Sequence, residues 1–324
     1  MPRPPQIPQQ LAHGPFTRAQ ALEAGLTSRQ LQGKHFSPLF PRVWVLADLP
    51  MTADDWIIAA GLAMPGHAQL SHLSRIQALG YHDGPLRPFH FTVAGELHID
   101  LEDIFLHRTV AMPPLDDIGV SAASAFIGLC STARVISLIS IGDWLLRAGH
   151  MTLTELTELA RHQRWRPGAG EAMWVSGHLD ARSRSPKESE TRALLVFAGL
   201  PVPEVNPPLL EDPNTPWTDL LYRHWRLAIE YEGSQHLIDR KQYNTDIARY
   251  AWMRDSGTEY VQVTKEMLRQ PRALVLRVHR KLIARGYDGP TPVFGDRWRS
   301  LFESVHLRRG RFGGGGPATS YLCA

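Results

Sequence analysis

The sequence predicts a mixed α/β chain, on three observations. Between Pro186 and Arg285 the text reads helix, three strands, helix, strand, helix. Between Thr17 and Leu46 it reads helix, turn, helix, strand, the layout of a winged helix-turn-helix. The chain's 324 residues, 43% hydrophobic and 21% charged, are enough for two domains, each with its own core. The expected organisation is a disordered leader over 1–15, a winged helix-turn-helix over 16–50, a mixed α/β middle region over 51–165 and a linker over 166–180. A C-terminal α/β domain over 181–288 and an extension over 289–324 with a glycine-rich tail complete it.

Each element has a local cause. Thr17 and Thr27 are N-cap residues for two short helices separated by a stop at Gly25. Phe40 to Leu46, rich in β-branched and aromatic residues, reads as a strand. Ser28, Arg29, Gln30, Gln32 and Lys34 are the side chains placed to face DNA. The same text also suits a small helical subdomain that only packs against its neighbours. In the middle region His67, His72, His82, His90, His98 and His107 recur at irregular intervals without the HxH or HxxxH spacing of metal ligands. They read as surface or hydrogen-bonded core histidines. The apolar run from Ala123 to Leu146 is broken by Arg134 and Asp143, so it reads as two core helices rather than a membrane span.

The formal net charge of +3 neither demands nor excludes a nucleic-acid partner. Two cysteines, Cys130 and Cys323, supply neither a disulfide framework nor a zinc site. The N-terminal text lacks the apolar core of a signal peptide, and a cytoplasmic location without membrane association is expected.

In the C-terminal domain Ser185 is an N-cap, Pro186 sits at the first helical position, and Glu188 and Glu190 fall in the first turn, where acids also complement the helix dipole. Strands are expected over Glu204–Leu210, Trp217–Tyr222, Arg226–Glu232 and Tyr260–Thr264, and helices over Gln242–Arg254 and Arg272–Arg285. Side chains alternate along a strand, so Glu230 and Glu232 project from one face while Leu227, Ile229 and Tyr231 take the other. A tight turn at Arg223-His224 sets Asp219 opposite Ala228 and on the face of both glutamates, so that three carboxylates converge. Like charges among apolar neighbours are costly unless a cation or a proton offsets them. A divalent metal does so.

At these residues the chain resembles the Vsr-like endonuclease domains of the PD-(D/E)xK superfamily, within a large bacterial group known as a domain of unknown function. The resemblance covers roughly residues 180–285. It rests on Ser185-Pro-Lys-Glu-Ser189, on Asp219 followed by Ile229-Glu-Tyr-Glu-Gly233, on Gln235-His236, and on Asp246-x-x-Arg249 with Gly257. The N-terminal segment is similar to the AbiEi-like antitoxin winged helix that accompanies such domains.

The resemblance implies a restriction-endonuclease-like core with a central mixed sheet that hydrolyses phosphodiester bonds, using Mg²⁺ or Mn²⁺. Asp219 and Glu230 are its direct metal ligands, Glu188 a second-sphere or water-bridged ligand, and His236 a general base or leaving-group acid. The chain departs from the pattern at Glu232, where the superfamily places a lysine. Lys241, Arg240 and Arg249 are the candidates for the missing cation, and Arg29, Gln30, Lys34, Lys241 and Arg249 for contacts to nucleic acid. DNA is the expected substrate and RNA the alternative. A rival reading is an antitoxin-type transcriptional regulator whose nuclease fold is an inactive scaffold.

Overall fold

Thr17 and Thr27 each cap a helix through a reciprocal box, with Gln20 and Gln30 Oε1 accepting from the cap N–H. The helices are α1 (Arg18–Glu23) and α2 (Ser28–Leu31), and Gly25, at φ 90°, ends the first. A three-stranded antiparallel sheet surrounds them, in the order β1 (Phe16–Thr17), β3 (Val43–Leu46), β2 (Phe36–Phe40). The single strand expected over Phe40–Leu46 is therefore half of a hairpin. Pro41 and Arg42 turn the chain there, with Arg42 in the left-handed region at φ 66°. The leader also differs from expectation, because Leu11 is buried with Phe16, Ala21, Leu26, Leu31 and Phe36.

These elements belong to a computed structural model that describes residues 7–232 and 252–304. The chain is a mixed α/β protein that divides into two units, residues 1–126 and 127–324. The first unit continues with α3 (Ala53–Ala63), β4 (Gln69–Leu70), α4 (His72–Gln77), β5 (Phe89–Ala94) and β6 (Ile104–Thr109). The strands form a second sheet in the order β4-β5-β6, with β5 and β6 parallel. Phe89 and Phe91 face a core with Ile57 and Leu70, so His90 and Thr92 point to the opposite face.

Helix α5 (Ala122–Cys130) carries the chain into the second unit, where α6 (Val135–Arg147) follows, two helices as the interrupted apolar run predicts. Next come α7 (Leu153–His162) and α8 (Ala169–Ser176). The stretch expected as a linker is thus largely a helix, with Ala169, Ala172 and Val175 buried. Gly168 marks close packing instead. Gly168 has φ 88°, and a Cβ there would lie 1.9 Å from the Ile127 carbonyl oxygen.

Helix α9 (Pro186–Phe197) starts at Ser185, whose hydroxyl accepts from the Glu188 N–H. It packs against α6 and β9. The third sheet is mixed and four-stranded, in the order β10 (Glu259–Val263), β9 (Leu227–Tyr231), β8 (Leu220–Tyr222), β7 (Glu204–Val205). Only the β9–β10 pair is parallel. Helices α10 (Lys265–Leu268), α11 (Pro271–Ala284) and α12 (Asp296–Arg299) follow. Trp298 and Leu301 are buried, so the start of the expected C-terminal extension packs within this unit. The glycine-rich tail lies outside the described residues. Among those residues no helix is long and apolar enough to cross a membrane.

Candidate active site

Strand β9 is an inner strand of the third sheet and carries Glu230. Leu227, Ala228, Ile229 and Glu230 are all buried, and Glu230 retains only 1% of its accessible surface. The β8–β9 register pairs Leu220 with Ile229 and Tyr222 with Leu227, which brings Asp219 level with Glu230. Asp219 was expected opposite Ala228. The connection contains a 3₁₀ turn over Arg223–Trp225 followed by Arg226 at φ 47°, and those extra residues move the register by two places. A two-place shift preserves the face, because side chains alternate with period two.

The two carboxylates are interlocked through backbone amides. Asp219 N–H donates to Glu230 Oε1 over 3.3 Å, and Tyr231 N–H donates to Asp219 Oδ2 over 2.7 Å. Such N–H donors orient a carboxylate. Glu232, expected as the third converging acid, sits past the end of β9 with an exposed side chain, its N–H bound to the Val263 carbonyl. Among the described residues Asp219 and Glu230 meet here, and Glu232 does not join them.

Glu188 is 6% exposed and reaches the pair through an intermediary. Its Oε2 accepts from Asn206 Nδ2 over 2.7 Å and from Arg184 N–H over 2.8 Å. Asn206 in turn donates its own N–H to the Asp219 carbonyl over 2.9 Å. Sequence reasoning passed over Asn206. Its signal was slight: asparagine tolerates the left-handed backbone better than most residues, and Asn206 adopts φ 46° just before Pro207-Pro208. Gln262 of β10 was also overlooked, although the parallel register sets it beside Glu230.

Helix α9, which presents Glu188, is anchored by a buried ion pair. Arg192 Nη2 lies 2.8 Å from Asp143 Oδ2 on α6, and Asp180 N–H donates to Asp143 Oδ1 over 2.6 Å. Burial raises the Asp143 pKa, against the pull of Arg192 and of the hydrogen bonds from Asp180 and Ser189. Desolvation wins.

Among the described residues no three carboxylate, imidazole or thiol groups gather closely enough to hold a metal ion unaided. A pair of carboxylates on adjacent strands is nevertheless a donor set that Mg²⁺ takes, since this ion keeps several waters and needs one or two carboxylates with substrate phosphate. His236, Asp246, Arg240, Lys241 and Arg249 lie outside the described residues. In the N-terminal segment Arg29 and Lys34 are exposed. Gln30 is committed to its capping box, its Oε1 accepting from Thr27 N–H and the Thr27 hydroxyl, and Ser28 accepts from Arg18.

The irregularly spaced histidines contain a cluster that their spacing hid. The β5–β6 register aligns Thr92 with His107, placing His90 and His107 on one face, where His90 Nδ1 and His107 Nε2 are 3.0 Å apart. The His72 ring stacks on His107 with centroids 3.6 Å apart. Burial depresses all three pKa values, that of His107 to about 3, with neighbouring imidazoles adding to the effect at His72 and His107. A histidine that resists protonation when folded but accepts it near pH 6.5 when unfolded loses stability as pH falls through that window. For His107 alone the expected loss between pH 7.5 and pH 5 is about 2 kcal/mol. Urea unfolding at the two pH values should show it, and His107→Gln should reduce the difference by about that amount, the rest coming from His72 and His90; identical pH dependence in the variant would refute the assignment.

No protein-family model matches this chain. It is similar to two proteins described as uncharacterized from Mycobacterium tuberculosis, strains CDC 1551 and H37Rv, each 30% identical over 142 residues. The aligned part covers 43% of this chain and 52% of each relative, so the chain spans about half the length of the curated relatives it matches.

Proposed function

We propose that residues 181–288 form a metal-dependent nuclease domain with a restriction-endonuclease-like core, acting on phosphodiester bonds of DNA. The supporting observation is the interlocked pair Asp219 and Glu230, one of them deeply buried, on neighbouring strands of a mixed sheet. Asp219 and Glu230 would hold Mg²⁺ or Mn²⁺ directly, and Glu188, tied to Asp219 through Asn206, would act on the metal's water shell. When bound, the ion supplies Lewis acidity and lowers the pKa of its water. The residues' own part is to fix two anionic oxygens in place before substrate arrives, so that little reorganisation is needed during reaction.

The N-terminal segment supports a DNA-binding role through its hairpin beside α2, with Arg29, Lys34 and Arg42 exposed. The test uses the full chain with supercoiled plasmid, single-stranded DNA and RNA, each with Mg²⁺, Mn²⁺ or EDTA. Nicking with either metal and none in EDTA is the expected result. Equal cleavage in EDTA would overturn the metal dependence, and no cleavage of any substrate would leave the regulator reading in its place.

A further inference from the structure

An exposed aromatic side chain lies close in the chain to the carboxylate pair. Trp217, two residues before Asp219, is 43% exposed, although Thr215, Thr218 and Leu220 around it are all buried. Its backbone is fixed: Trp217 bridges to Pro208, Thr218 N–H donates to the Pro207 carbonyl over 3.0 Å, and Leu209 N–H donates to the Pro216 carbonyl over 2.8 Å. The ring therefore projects from a rigid ribbon. The Arg184 guanidinium lies 5.1 Å from the ring centroid, and the backbone N–H of the same arginine holds Glu188. The indole thus belongs to a residue two places from Asp219, and the guanidinium beside it to the residue whose N–H holds Glu188.

We infer that Trp217 and Arg184 form a subsite for a single-stranded stretch of nucleic acid next to the bond to be cut. The exposed indole stacks an unpaired base and the guanidinium takes a flanking phosphate. A duplex keeps its base faces covered by its own neighbours, whereas a single strand offers them to an aromatic platform. Arginine suits the phosphate contact because its planar fork carries a permanent charge and also stacks on the ring. The subsite's position rests on the nuclease reading of the same residues.

Binding in EDTA separates the two ideas, because it involves no cleavage. Fluorescence anisotropy of the full chain with labelled single-stranded DNA, single-stranded RNA and a matched blunt duplex is compared for the parent, Trp217→Ala, Trp217→Phe and Arg184→Ala. Trp217→Ala is expected to weaken binding of at least one single strand about tenfold, with the phenylalanine variant within about threefold of the parent. Arg184→Ala should reduce the salt dependence of that binding. Duplex binding should stay level in the Trp217 variants. Unchanged single-strand affinity in Trp217→Ala, or an equal loss on duplex, overturns the subsite whether or not the protein cleaves. A selective loss in a protein that never cleaves keeps the subsite and removes the nuclease reading.

Discussion

Asp219→Asn and Glu230→Gln are each expected to lower metal-dependent cleavage by about a thousandfold or more while the protein stays folded. Both replacements retain an acceptor oxygen for the amides that hold the parent carboxylates, so Tyr231 N–H and Asp219 N–H keep their partners. Each removes one of two negative charges from the pair proposed to hold the metal. A bound metal contributes several kcal/mol of transition-state stabilisation, and about 4 kcal/mol corresponds to roughly a thousandfold in rate. Initial rates of plasmid nicking at saturating Mg²⁺, read with circular dichroism of each variant, provide the check. A folded Asp219→Asn protein that nicks at the parental rate would remove Asp219 from the chemistry.

The second large effect concerns the scaffold behind the site. Arg192→Met is expected to destabilise the protein by about 3–5 kcal/mol, because it leaves Asp143, 1% exposed on α6, as a buried anion without its cation. The remaining hydrogen bonds from Asp180 and Ser189 only partly compensate. Replacing both partners, Asp143→Leu with Arg192→Met, should recover most of the loss, since two apolar side chains avoid the desolvation that already raises the Asp143 pKa. Arg192 Nε itself lacks a hydrogen-bond partner among the described residues, which fits a pair that specifies how α6 meets α9 more than it adds net stability. Urea midpoints of the parent, single and double variants give the comparison, and a single variant as stable as the parent would refute the cost.

Local features were legible from residues alone. Thr17, Thr27 and Ser185 begin helices because a side-chain oxygen next to an orphan N–H acts over three residues, a distance sequence displays directly. The pairing of Asp219 with Glu230 was legible in its face though not in its register, since a shift by two leaves the face unchanged. Features set by distant partners were not. The cluster of His72, His90 and His107 depends on a parallel register between strands joined by a long connection, and no local spacing encodes that. Glycine and proline around 166–170 suggested a flexible join, whereas Gly168 is required by the approach of the Ile127 carbonyl. The third carboxylate failed for a similar reason: alternation fixes the face of Glu232 but not how far the paired strand continues.

Asn206 narrows what this site can tolerate in any variant of the chain. Glycine at 206 would keep the left-handed turn yet offer no side chain to Glu188, and aspartate would adopt the turn while setting a second anion against it. Residues with larger or branched side chains strain the backbone that bonds Asp219. The position thus accepts very few residues for reasons unrelated to touching substrate, and a library randomised there should return asparagine whenever selection asks for Glu188 and Asp219 to work together.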